Sequence, residues 1–206
     1  MVKVKLCGLH RCCDIRWANE LKPDYVGFVF AGSRRRVTDE EADMYRQLLD
    51  PAIPAVGVFV DEKAETVADL ANAGIIQLVQ LHGREDEGYI WRLRLLTSVP
   101  IIKAFSVVTK HDIDRAGQCS ADYVLLDNGT GGTGQTFDWT QARRLHKPYF
   151  LAGGLHAGNV KSALALAPYA VDVSSGVETY GDKDREKIRQ FIAQVRQGNL
   201  CKEVFA

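Results

Sequence analysis

The chain has 206 residues, 46% of them hydrophobic and 25% charged, with 18 glycines and 6 prolines. That composition describes one ordinary globular domain, or at most two small ones, and excludes disorder, collagen and a disulfide mini-protein. Lys plus Arg and Asp plus Glu both number 26, so no global field recruits nucleic acid or an acidic membrane surface, and a small-molecule partner is expected.

The opening residues MVKVKLCG run straight into a strand-like pattern, without the basic segment, apolar stretch and small-residue cleavage site of a secretory leader. A cytoplasmic location is expected. Short apolar runs at 2–7, 25–30, 54–60, 76–81, 99–105, 123–127, 149–152 and 170–174 predict eight strands. Helix-period stretches at 39–49, 62–73, 85–96, 159–167 and 184–195 lie between them. A further helix after the first strand carries Cys12 and Cys13. Thr38 with Glu41 makes a capping box at the start of the second helix, and Asp138 is placed to cap a helix near Trp139. The longest apolar stretch, 53–60, is interrupted by Pro and Gly and falls far short of the ~20 residues of a membrane helix. Five cysteines, an odd number with no paired spacing, read as free thiols in a reducing compartment.

Eight strand–helix units of about 26 residues each fit a single (β/α)8 TIM barrel over residues 1–206, with nothing left for a second domain. An open doubly wound sheet competes, but it expects a glycine cluster after its first strand, where this chain has Cys7-Gly8-Leu9. The glycine clusters come late instead. Gly131-Gly132-Thr133-Gly134, Gly153-Gly154 and Ser174-Ser175-Gly176 follow the sixth, seventh and eighth strands, and the loops after strands seven and eight are where such barrels commonly hold a phosphate. Singly, each cluster is only a turn; together they indicate a phosphorylated small molecule held by backbone amides and following helix N-termini.

In a barrel every strand end opens on one face, so the residues there are the candidates for chemistry. They are Cys7, the 33–36 stretch, Asp61, Gln80 and His82, Ser106, Asp127, and the last two glycine segments. Parity places Val2, Val4 and Leu6 outward against helices, and Lys3, Lys5 and Cys7 toward the barrel axis. Asp127 ends an otherwise apolar strand and is either solvated or held for acid–base work. One arginine of the 34–36 run is able to clamp a carboxylate bidentately; the ordinary reading of the run is a solvated loop. His82 stands between a satisfied core histidine and a ligand contact. Cys7, His10, Cys12 and Cys13 have zinc-type donors, but adjacent cysteines across a strand-to-helix break make poor metal geometry, and no metal is expected.

These residues resemble the phosphoribosylanthranilate isomerase family over nearly the whole chain. The resemblance rests on Lys5-Leu6-Cys7-Gly8, Gly27-Phe28-Val29-Phe30 with Ser33 and Arg35, Val58-Phe59-Val60 and Gln80-Leu81-His82-Gly83. It continues through Leu125-Leu126-Asp127, Gly131 to Gly134 with Phe137-Asp138-Trp139, Ala152-Gly153-Gly154-Leu155 with Asn159-Val160, and Val171-Asp172-Val173-Ser174-Ser175-Gly176-Val177-Glu178. It implies an Amadori rearrangement in tryptophan biosynthesis, with Cys7 as base, Asp127 as acid and no metal or organic cofactor. Arg35 would hold the anthranilate carboxylate, and Gly132, Thr133, Gly134, Gly153, Gly154, Ser174, Ser175 and Gly176 the phosphate, with Gln80 and His82 beside the phosphosugar. Asp172 is expected to pair with inward Lys5, and Lys5 with the phosphate-site dipoles to favour a Cys7 thiolate. Arg34 and Arg36 read as solvated. The chain departs from the family's usual pattern at Leu9-His10, where a Thr commonly follows, and the loop after strand two is one residue shorter than in some relatives.

Two other readings stand beside this one. A histidine-pathway or dual isomerase on the same fold uses two aspartates, whereas position 7 is Cys. A non-catalytic phosphosugar-binding barrel would not need Cys7, Asp127 and Arg35 together. Helix faces pack in a barrel with or without a second copy, which leaves monomer and homodimer both open.

Overall fold

The computed structural model describes residues 1–128 and 139–204. Eight parallel strands close into a barrel in sequence order: β1 (Lys3–Cys7), β2 (Tyr25–Val29), β3 (Ala55–Phe59), β4 (Leu78–Leu81), β5 (Ile101–Val107), β6 (Tyr123–Asn128), β7 (Tyr149–Leu151) and β8 (Ala170–Val173). Closure is made at β1, where Lys5 is in register with Tyr25 on one side and Asp172 on the other. Around the barrel run α1 (Cys12–Leu21), α2 (Asp39–Leu48), α3 (Ala64–Asn72), α4 (Glu87–Leu96), α5 (Lys110–Gln118), α6 (Val160–Leu164) and α7 (Arg185–Val204). A short hairpin, β9 (Glu178–Thr179) and β10 (Asp182–Lys183), sits between β8 and α7.

All eight strands fall where the apolar runs place them. The capping box at Thr38 forms, with the Thr38 hydroxyl accepting from Glu41 N and the Glu41 carboxylate from Thr38 N. Three helices differ from expectation. α5 escapes an apolar-period reading because only Ile113 and Ala116 are buried; a second capping box, Thr109 with Asp112, starts it. The helix expected near Trp139 is a six-residue 3-10 turn, Trp139–Arg144, and Asp138 lies outside the described residues. α7 runs past 195 because Asn199 pins it to the start of β1, accepting from Val2 N at 2.8 Å and donating to Val2 O at 2.9 Å.

Strand alternation divides the core into two shells. Val4, Leu6, Val26, Phe28, Val124 and Leu126 face the helices, while Tyr25, Val56, Leu78, Ile102, Leu125 and Phe150 fill the barrel. The floor is polar but satisfied: the Lys3 ammonium donates to the Tyr25 and Tyr169 hydroxyls at 3.2 and 2.8 Å. That plug closes one end of the barrel and leaves the other, at the C-terminal strand ends, as the mouth.

Candidate active site

Inward parity carries Lys5 into the barrel and Cys7 to its mouth. Lys5 is fully buried, and its Nζ donates to both Asp172 oxygens at 3.0 and 3.1 Å, the pair that the sequence leads one to expect. Burial alone would lower the Lys5 ammonium; Asp172 and the Cys7 sulfur carry it above its ordinary value. The surroundings of Cys7 act against the expected thiolate rather than for it. Burial pushes the Cys7 thiol up, with Asp172 acting in the same direction, against the pull of Lys5 and Lys183. Lys5 is the strongest of the groups that favour the thiolate, but burial outweighs it.

The mouth encloses a cavity of about 210 Å³ lined by Cys7, Arg35, Gln80, His82, Asp127 and Asp172 together with Gly153, Gly154, Ser174, Ser175 and Gly176. Six strands thus deliver the predicted residues to one place. Asp61 and Ser106 are not part of the lining; Asp61 accepts from Arg84 N at 2.6 Å and Arg84 Nε at 2.9 Å, a contact that braces the loop. A wider hollow of about 440 Å³ beside Asp61, lined by Glu62, Arg84, Glu85, Asp86 and Tyr89 as well, has no thiol, histidine or glycine in its lining. Gly132, Thr133 and Gly134 lie outside the described residues.

On the acid side, His82 Nε2 stands 3.7 Å from Asp127 Oδ2, and His82 Nδ1 lies 3.0 Å from Gln80 Nε2. Burial holds the His82 imidazole below its ordinary value, against the pull of Asp127. A neutral ring accepting at Nδ1 carries its proton at Nε2, toward the carboxylate.

At the glycine segments it is backbone turns rather than helix N-termini that border the cavity. The chain turns through left-handed geometry at Gly153 and Gly154, φ 85° and 64°, and Asn159 ties this turn by donating to Gly154 O at 2.9 Å. α6 begins only at Val160, and the 3-10 turn Ser175–Val177 has three residues, so little dipole points at the mouth. At Gly176 a Cβ would stand 1.8 Å from the Leu155 carbonyl oxygen, because the loops after β7 and β8 close on each other there. Gly176→Ala is therefore expected to cost about 1–3 kcal/mol of stability and to weaken binding of inorganic phosphate about tenfold or more, read by a thermal melt and by isothermal titration.

Gly8 explains the glycine after the cysteine. Its φ of +80° is one that side-chain-bearing residues rarely adopt, and a Cβ there would lie 2.5 Å from Arg35 Cδ, so its bareness lets Arg35 cross the end of β1. The guanidinium then donates Nε and Nη2 to the two Glu178 oxygens at 2.7 and 2.8 Å. Burial would raise the Glu178 carboxyl, but Arg35 and Lys183 outweigh it and bring it to about 2. Arg34 and Arg36 are exposed, as expected; Arg34 also donates to Tyr180 O at 2.6 Å. Sequence reasoning missed the parts played by Glu178 and Lys183, whose only signal was a Glu and a Lys five residues apart after the last strand. Of the zinc-type donors, Cys7 is buried at the mouth and Cys12 is exposed on α1, and among the described residues no three His, Cys, Asp or Glu side chains converge as a metal site.

A closed (β/α)8 barrel whose mouth gathers a thiol, a carboxylate, a guanidinium and close-turning glycine loops belongs to the class of barrel enzymes acting on small anionic metabolites. The particular family follows from comparison with known proteins. The family described as PRAI, N-(5'phosphoribosyl)anthranilate (PRA) isomerase, matches residues 4–194. A relative from Endomicrobium trichonymphae, N-(5'-phosphoribosyl)anthranilate isomerase, is 44% identical over 201 residues, covering 95% of this chain and 99% of its own. A crystal structure of phosphoribosyl anthranilate isomerase in complex with reduced 1-(o-carboxyphenylamino)-1-deoxyribulose 5-phosphate is 35% identical with a TM-score of 0.83, covering 96% of this chain and all of its own. So does a structure of monomers generated from the dimeric Thermotoga maritima enzyme, at 36% identity and TM-score 0.83. The chain belongs to the phosphoribosylanthranilate isomerase family. It is an isomerase of tryptophan biosynthesis that carries out an Amadori rearrangement. Among the described residues no helix is long and apolar enough to cross a membrane.

Proposed function

We propose that this chain converts N-(5-phosphoribosyl)anthranilate into 1-(2-carboxyphenylamino)-1-deoxyribulose 5-phosphate with Asp127 as general acid and Cys7 as general base. The observation that carries the reading is that both side chains line one cavity, bounded by Arg35 on one side and the 153–154 and 174–176 turns on the other. Protonated Asp127 gives its proton to the ribose ring oxygen; the C–O bond breaks and the nitrogen lone pair forms the iminium. The Cys7 thiolate then takes the proton from the adjacent carbon, and its electron pair neutralises the iminium to an enolamine, which tautomerises to the ketone. Neither step calls on a metal or organic cofactor.

Arg35 keeps its Nη1 hydrogens and one on Nη2 for the anthranilate carboxylate, and the backbone amides of the 153–154 and 174–176 turns hold the phosphate. Gln80 and His82 border the sugar between them. The catalytic form, with Asp127 protonated and Cys7 ionised, is the minor arrangement of the pair's single proton: ordinary values near 3.9 and 8.5 set it roughly 6 kcal/mol above the reverse, and burial of the thiol widens that gap. Substrate binding has to narrow it. We place the activity in the cytoplasm, in one barrel domain over 1–206; the free thiols of the described cysteines agree with a reducing compartment.

The test is the decay of anthranilate-type fluorescence when freshly made phosphoribosylanthranilate meets the purified protein, with and without chelator. Rapid loss unaffected by chelator is expected. Decay no faster than the uncatalysed background overturns the reading in favour of a binding protein.

A further inference from the structure

Behind Arg35 lies an ion cluster that the acid–base steps do not use. Glu178 accepts from Arg35 at both oxygens and, at Oε1, from Lys183 Nζ at 2.5 Å. The Lys183 side chain is completely enclosed and also donates to Ser174 O and Oγ at 3.1 and 3.3 Å. Arg35 and Ser174 line the cavity; Glu178 and Lys183 do not. The hairpin that carries them is fastened from outside, with Arg34 on Tyr180 O and Arg11 Nη2 donating to Lys183 O at 2.8 Å.

A guanidinium has five N–H donors in a planar fork. Glu178 takes the Nε/Nη2 edge, which leaves the Nη1/Nη2 edge for a second planar carboxylate. A long arginine held on neither edge would sample many rotamers and pay to order on binding. With Glu178 behind it, the plane of the fork is fixed in advance. Two cations against one carboxylate also leave the cluster one net positive charge for an incoming anion.

We propose that Glu178 is a positioning residue that aims Arg35 at the substrate carboxylate, and that Lys183 locks this aim to Ser174 at the phosphate end of the cavity. The inference rests on the reading of Arg35 as the carboxylate holder and of 174–176 as the phosphate turn. It gives the two ends of the substrate one shared brace, and it makes the carboxylate a specificity determinant rather than a bystander.

Steady-state kinetics with phosphoribosylanthranilate, and inhibition by inorganic phosphate, test it in Glu178→Gln, Glu178→Asp, Lys183→Met, Arg35→Met and the Arg35→Met/Glu178→Gln pair. Glu178→Gln is expected to raise KM about tenfold with kcat within about threefold and phosphate inhibition unchanged. In the Arg35→Met background the same change should add less than about twofold, because the two residues act as one unit. Lys183→Met should raise KM and weaken phosphate inhibition together. Glu178→Asp keeps a charge beside Lys183 but withdraws the fork by one methylene, so it should reproduce the KM rise in a folded protein even if the Gln variant does not fold. Multiplicative losses in the double variant, an equal loss of phosphate inhibition in Glu178→Gln, or an unchanged KM in Glu178→Asp overturn the proposal. An unchanged KM in Arg35→Met overturns the carboxylate reading itself, and with it the brace.

Discussion

Cys7→Ala and Asp127→Asn are each expected to slow kcat about 10²- to 10⁴-fold while moving KM only a few fold. Each substitution removes one proton transfer and leaves the walls of the cavity in place. Ala vacates the sulfur without adding a polar group, and Asn keeps the shape of Asp while losing the transferable proton. The residual rate would come from Arg35 and the glycine turns, which still hold the substrate in a reactive geometry. Combined, the two losses should fall short of their product, because each acts on the same proton inventory. Single-turnover fluorescence decay separates this from a binding defect. A rise in KM with kcat intact would assign Cys7 or Asp127 to holding substrate rather than to moving protons.

Lys5→Met is expected to have the largest effect on stability, a loss of about 3–5 kcal/mol, because it strands Asp172 in the barrel without its cation. Adding Asp172→Leu should recover most of it, since an apolar pair of similar size has no charge left to desolvate. Denaturant unfolding of the three proteins decides this. Chemistry should follow in the pH profile. The active enzyme holds one proton between Asp127 and Cys7, so kcat/KM falls on the alkaline side only when the second proton leaves. Burial pushes the Cys7 thiol up, which places that limb above the ordinary thiol value of about 8.5. Lys5 lowers the thiol, so Lys5→Met should move the limb further to alkaline pH, and the pH dependence of Cys7 alkylation should move with it. A limb below about 8 in wild type, or one that moves down in the variant, contradicts the electrostatics of the site.

Much of the fold was legible because the barrel repeats a local rule. Each apolar run of four to seven residues bounded by turn residues had to be a strand, and alternation in Val2 to Cys7 already pointed Lys5 and Cys7 inward. α5 was hidden because its buried face amounts to Ile113 and Ala116, too little for a periodic signal. That α7 continues past 195 goes with a contact 197 residues away, between Asn199 and Val2, which no local pattern encodes.

At the site, the sequence by itself determined the inventory: a thiol, a carboxylate, an arginine and the late glycine turns each sit at a strand end, and closing the strands brings strand ends together. Only the tertiary structure decided their electrostatics. Lys5 looks like an activator of Cys7 in the sequence and does lower the thiol, yet Asp172 from the neighbouring strand opposes it, and burial sets the thiol's direction. The sequence singles out Arg35 as a carboxylate holder, but only the fold shows how it is held: Gly8 lets it cross β1 and the β9–β10 hairpin presents Glu178 behind it. Residue identity fixes which groups can ionise; desolvation and partner distance, which depend on chain segments far apart in sequence, fix which of them do.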